Sequence, residues 1–118
     1  MPFRKTQPAA LKPADFYILL VLADAPLHGY GLIKEVARQS AGSVELEIGS
    51  LYRLLDRLLE EKWIEFAPSA PPGSDERRRY YRLTPAGRRA LQAEVMRLRE
   101  LVQHLRKHPL LGDAGAAR

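Results

Sequence analysis

Cysteine is absent from this 118-residue chain, which excludes disulfides, thiolate zinc centres and cysteine nucleophiles and fits a reducing compartment. Long apolar runs are lacking too. The longest, residues 16–23, falls well short of the ~20 residues that a membrane-spanning helix needs. Residues 1–12 are basic and contain proline, without the apolar stretch of a secretory signal. A soluble cytoplasmic protein is expected. Signatures of catalysis are also missing. There is no nucleophile–base pair or metal-ligand cluster, and the Gly29-Tyr30-Gly31 run is too short for a phosphate loop. No enzyme activity, cofactor or metal is expected. His104 and His108 stand four apart, but a helix C-terminus favours such cations without any metal.

What the chain does have is positive charge. The formal net charge is +5 and the pI about 9.8, a balance that suits an anionic partner. The excess is uneven. Arg77, Arg78, Arg79, Arg82, Arg88 and Arg89 face only Asp75 and Glu76 in one short stretch. Length allows a single domain with a modest core.

The apolar pattern divides this domain into four helices and a hairpin. Residues 1–11 read as a flexible arm. Pro13 suits the first turn of a helix and Asp15 favours its N-terminal dipole. Phe16, Leu19, Leu20 and Ala23 make one stripe on this helix, Ile18 and Leu22 a second, so it must be covered from two sides. Pro26 ends it, and residues 27–31 read as a turn. In the second helix Ile33, Val36 and Ala37 face inward, while Lys34, Glu35 and Arg38 face water. Residues 44–46 alternate like a short strand. A third helix is expected from Gly49-Ser50, with Leu51, Leu54, Leu55, Leu58 and Leu59 on its inner face. Residues 63–66 and 80–83 have strand composition, and the Pro- and Ser-rich stretch between them is a loop. Thr84-Pro85 caps and starts a last helix over 85–107. There Leu91, Val95, Leu98, Val102 and Leu105 recur at spacings of four and three, an a/d seam. Met96 and Leu101 widen it, and His108-Pro109 stops it.

Three helices followed by a hairpin give a mainly α fold with a small β-hairpin, a winged helix-turn-helix with a C-terminal dimerisation helix. The expected divisions are an arm at 1–11, the winged domain at 12–84, the dimerisation helix at 85–108 and a disordered tail at 109–118.

Three blocks strengthen this reading: residues 28–33 (HGYGLI), 49–55 (GSLYRLL) and 78–87 (RRYYRLTPAG). Together they resemble the PadR family of transcriptional regulators, in its short form with one C-terminal helix. The resemblance implies a dimeric repressor of double-stranded DNA, often governed by a small molecule. Two positions depart from the usual pattern. Arg53 stands where many relatives have proline, adding a cation to the recognition helix. Lys62-Trp63 replaces a glycine and an aliphatic residue, so that helix must end without glycine.

With its leucines inward, the third helix turns Ser50, Arg53 and Arg57 outward. Arginine pairs bidentately with guanine in the major groove. The alternative for Arg53 and Arg57 is pairing with Asp56, Glu60 or Glu61. Ser50 is open to two readings, a phosphate contact or a simple helix cap. Tyr52 is expected half-buried with its hydroxyl at the rim, and the resemblance implies a phosphate contact there. Lys34 is counted with the DNA contacts. Arg77, Arg78 and Arg79 would meet the DNA backbone or minor groove; on a strand, Arg77 and Arg79 share a side. Of Tyr80 and Tyr81, one is expected in the core and at most one is free to stack. Arg88 and Arg89 belong to the solvated side of the last helix. For a homodimer, the two-faced first helix suggests that the last helix of one chain lies across Ile18 and Leu22 of the other. Two recognition helices would then stand about one DNA turn, ~34 Å, apart over a pseudo-palindromic operator. The resemblance implies a small-molecule effector, and Met96 is a candidate to line its pocket. The alternative to DNA binding is a protein-interaction module that retains the fold.

Overall fold

The computed structural model describes residues 11–111. The expected arm and tail lie outside these residues, apart from Leu11 and residues 109–111. Six elements follow one another: α1 Pro13–Leu22, α2 Gly29–Gln39, α3 Ile48–Glu60, β1 Ile64–Phe66, β2 Tyr81–Leu83 and α4 Pro85–Arg106.

Helices α1, α2 and α4 start by their own local chemistry. Pro13 fills the first position of α1, where a missing N–H costs nothing. His28 caps α2, its Nδ1 accepting the Gly31 N–H at 3.1 Å. The helix therefore begins at Gly29, inside the stretch expected to be a turn. Thr84 caps α4, its Oγ1 accepting the Gly87 N–H at 2.9 Å and donating to the Lys62 carbonyl at 2.6 Å. α3 has no side-chain cap; it begins at Ile48 behind Glu47.

Helices α2 and α3 end alike. The Gly42 and Ala41 amides donate back to the Ala37 and Arg38 carbonyls, and those of Trp63 and Lys62 to Leu58 and Leu59. This is the paired pattern of a Schellman stop, which asks for a left-handed residue. Ala41 (φ 53°) and Lys62 (φ 65°) supply it, neither of them a glycine.

No strand forms at 44–46. Instead of a neighbouring strand, Val44 finds Ser40, whose Oγ accepts its N–H at 3.0 Å and donates to its carbonyl at 3.2 Å. The hairpin is antiparallel, pairing Ile64 with Leu83 and Phe66 with Tyr81. Leu27 adds a single bridge to Tyr81, tying the α1–α2 connection to the sheet.

The core gathers Ile18, Leu19, Leu32, Val36, Leu51, Leu55, Leu58 and Ile64, all fully buried. α1 runs through its middle, in contact with α2, α4 and β2. That corrects the expected dimer contact on α1. Ile18 and Leu22 are 0% and 3% exposed within one chain, because that chain's own elements cover both faces. Leu91 also belongs to this core. The remaining seam is different. Val95, Val102 and Leu105 are exposed, Leu98 is half-buried, and every α4 residue beyond Leu98 is exposed. The C-terminal half of α4 leaves the body of the domain. Among the described residues, no helix is long and apolar enough to cross a membrane.

Candidate nucleic-acid interface

α3 carries the outward groups. With Leu51, Leu55 and Leu58 buried, the opposite side presents Tyr52, Arg53 and Asp56 to solvent. Arg53 forms no salt bridge among the described residues. Ser50 is half-buried, and its hydroxyl donates to the Glu47 carbonyl at 3.3 Å. It is thus not the cap of α3.

Arg57 departs from the sequence expectation. Its two terminal nitrogens donate to the carboxylate of Asp15 at 3.1 and 2.8 Å. Asp15 is buried at 3% exposure. Both terminal nitrogens of Arg57 are thus directed at a buried carboxylate and not held out toward solvent as a free fork. The expected partners Asp56, Glu60 and Glu61 are not the ones chosen, because a buried carboxylate needs a cation far more than a solvated one does.

Tyr52 is 47% exposed, and its phenol lies across the start of α2. A Cβ at Gly29 would stand 2.7 Å from the Tyr52 hydroxyl. Glycine at 29 is what allows this approach. On α2, the Lys34 ammonium sits 5.5 Å from the centre of the Tyr30 ring, and both residues are exposed. Tyr30, Tyr52, Arg78 and Arg79 line a groove of about 610 Å³ between the start of α2, α3 and the wing.

The arginine cluster precedes β2 and is not part of it, so strand alternation does not sort these residues. Arg77 is almost fully exposed and bonds Asp75 through its backbone N–H (2.9 Å) and its Nε (3.1 Å). Those bonds hold the Asp75 carboxyl below its ordinary range. Arg78 reaches Asp75 at 3.5 Å and the His28 ring at 3.2 Å. The Arg79 guanidinium lies 4.7 Å from the centre of the Phe66 ring. Arg82, on β2, pairs across the sheet with Glu65 at 2.7 Å. Tyr80 and Tyr81 are both buried, Tyr80 against His28 and Tyr81 against Phe66. Neither is free to stack on a base, because Tyr80 lies just ahead of the strand and is covered by His28. Arg88 and Arg89 are exposed on α4. His108 Nδ1 accepts the Leu110 N–H. Among the described residues no cluster could hold a metal.

Sequence reasoning missed the polar roles of His28, Asp15 and Glu94. The histidine immediately before the Gly-Tyr-Gly run was a readable capping signal. The two carboxylates gave none, since their partners are set by tertiary packing.

Three helices, an antiparallel hairpin preceded by an arginine cluster and a groove between α3 and that hairpin make a winged helix-turn-helix fold. Residues 18–93 match the Transcriptional regulator PadR-like family, well over half of the chain. The chain belongs to that family, whose members are transcriptional regulators and not enzymes. An uncharacterized 37.1 kDa protein in transposon TN4556 of Streptomyces fradiae is 37% identical over 82 residues, 70% of this chain. The chain spans only 22% of that relative's length. Among solved structures, a PadR family transcription regulator from Clostridium difficile R20291 is 27% identical with a TM-score of 0.63, over 80% of this chain and 95% of that one. Bacillus subtilis PadR in complex with operator DNA shares the fold at 21% identity and a TM-score of 0.59, over 71% of this chain and 47% of that one.

Proposed function

We propose that this regulator is a repressor that acts as a homodimer on a pseudo-palindromic operator. Residues 12–84 are the DNA-binding unit and 85–108 the dimerisation helix. α3 enters the major groove, where Arg53 reads bases, guanine foremost. Ser50, Tyr52, Lys34 and Arg77 to Arg79 hold phosphates, giving affinity and register but no sequence reading. Val95, Leu98, Val102 and Leu105 pair the two copies; Ile18, Leu22 and Leu91 do not, being spent on their own core. A small-molecule effector, lodged near Met96 at the dimer centre, would relieve binding. Cytoplasmic residence accords with that role.

The observation that carries this reading is the shared groove. Tyr52 of α3 and Arg78 and Arg79 of the wing line one opening. Helix and wing therefore address the same side, as simultaneous contact with groove and backbone requires. The operator complex of Bacillus subtilis PadR adds support at the level of fold.

The test titrates the protein against its own upstream DNA at about 50 and 200 mM salt, with random duplex as competitor. Six or more phosphate contacts would lower affinity by ~10³-fold across that range. A footprint over two inverted half-sites that survives competitor is the expected result. Binding abolished by random duplex, there and in a genome-wide pull-down, would favour a protein-interaction module on the same fold.

A further inference from the structure

Hydrophobic contact holds α3 to the body but is non-directional, so its leucines alone tolerate some rotation about the helix axis. The Asp15–Arg57 pair does not. A planar guanidinium forked onto a planar carboxylate fixes direction as well as distance. Both Asp15 oxygens are taken, at 3.1 and 2.8 Å. Arg57 follows Arg53 by four residues, so the two lie one turn apart on the same side of α3. Any rotation of α3 that redirects Arg53 must break the fork.

The start of α1, where Asp15 sits, is itself tied to α4. Glu94 is buried and accepts the Leu11 N–H at 3.4 Å. Arg97 donates to the same carboxylate at 3.0 and 2.6 Å. Directional polar contacts therefore run from α4 to the start of α1 and on to α3.

We propose that Asp15 is a positioning residue for DNA recognition: through Arg57 it fixes the rotation of α3, and with it the direction in which Arg53 meets the bases. The proposal rests on the reading of α3 as the recognition helix. Arg57 then contacts Asp15 and not DNA. Loss of the clamp weakens base reading and leaves the wing's phosphate contacts, which accept any sequence, unchanged.

The experiment uses the full chain with Asp15→Asn, Arg57→Gln, the double variant and the milder Arg57→Lys. Each is measured by circular dichroism to find a temperature at which all are folded. There, affinity is determined for the wild-type footprint sequence and for random duplex of equal length, across a salt series. The expected result is a loss of about tenfold or more in the operator-to-random ratio for Asp15→Asn and for Arg57→Gln. The double variant should be no worse than either single, Arg57→Lys should fall between, and the salt slope should not change. Two results would overturn the proposal. One is Arg57→Gln weakening both duplexes alike with a salt slope lower by about one, while Asp15→Asn has no effect; Arg57 would then be a phosphate contact. The other is folded variants that bind like wild type, leaving the pair a stability contact only. Wild-type protein with no preference for any duplex instead overturns the function proposed above, and this shows before any variant is tested.

Discussion

Arg78 extends from the wing to within 3.2 Å of His28 Nδ1, the same nitrogen that accepts the Gly31 N–H at the start of α2. Both groups are donors, so that nitrogen must carry no proton. Burial first, then the neighbouring Arg78 charge, lowers the His28 pKa from its ordinary 6.5, against a smaller opposing pull from Asp75. Since the folded value lies below the unfolded one, the folded state binds fewer protons in that window. Stability contributed by His28 is complete above about pH 6.5 and is lost as pH falls through the lower folded value. Thermal melts from pH 7.5 to 5.5 should show Tm falling for wild type. His28→Asn keeps a capping oxygen and cannot titrate, so its profile should be flatter. Equal slopes would remove His28 as the cause.

Gly87 gives the largest single-residue effect expected here. It sits three residues into α4 beneath the β1 end. A Cβ at this position would overlap the Trp63 carbonyl oxygen and stand 2.8 Å from Leu83 Cδ1. Backbone cannot swing aside as a side-chain tip can. The Thr84 cap and the Thr84 N–H bond to the Trp63 carbonyl hold the junction tight. Gly87→Ala should cost about 3 kcal/mol. Urea titration would measure it, and a change below about 1 kcal/mol would mean that the hairpin and α4 can move apart.

Local features of the fold were legible because local chemistry decides them. The leucine spacing of α3 and the Thr84-Pro85 start of α4 need no distant partner to be recognised. Local chemistry does not name a distant partner. α1 plainly needed cover on two sides, but periodicity does not say whose residues supply it; α2, α4 and β2 of the same chain do. Arg57 was visibly outward in helical projection, yet Asp15, 42 residues earlier, captures it. Residues 44–46 had a strand's alternation without a neighbour to pair with. Of the candidate interface, Arg53 and the wing cations were readable as charge. That Tyr52 and Asp56 of α3 share one groove with Arg78 and Arg79 of the wing was not, since it depends on how the hairpin packs against α3.

The two helix stops offer stabilising substitutions. A non-glycine residue in the left-handed region carries a strain of about 1–2 kcal/mol, and Lys62 holds that conformation at φ 65°. Its side chain is exposed, and its carbonyl still accepts from Thr84 whatever the side chain is. Lys62→Gly therefore removes strain, and among the described residues it breaks no side-chain hydrogen bond or salt bridge. Glycine's greater unfolded-state freedom takes back part of the gain. A net increase of roughly 0.5–1 kcal/mol is expected, or a Tm higher by roughly 2–5 °C. Ala41→Gly should behave similarly at the end of α2. A fall in Tm for both would mean that their Cβ atoms contribute more than the geometry suggests.

Val102 and Leu105 separate folding from assembly. Val102 is 52% exposed, and among the described residues the stretch of α4 that carries it contributes nothing to the core. Replacing both by glutamate should leave the helix content and the core of each chain intact. In a dimer the same change places charges against an apolar seam, where burial without partners is strongly unfavourable. Sedimentation equilibrium should therefore show wild type as a dimer and Val102→Glu/Leu105→Glu as a folded monomer. Binding to DNA should fall steeply with it. Two linked half-site contacts outbind a single one by 10²–10⁴-fold, so the monomer should lose at least ~10² in operator affinity. An isolated half-site should be bound equally by both proteins when compared per chain. A wild-type protein that is monomeric would overturn the homodimer, and a double variant that stays dimeric would move the interface away from this helix. The half-site comparison then identifies the cause. Equal loss on half-site and full operator would implicate the DNA surface, whereas loss confined to the full operator would implicate assembly.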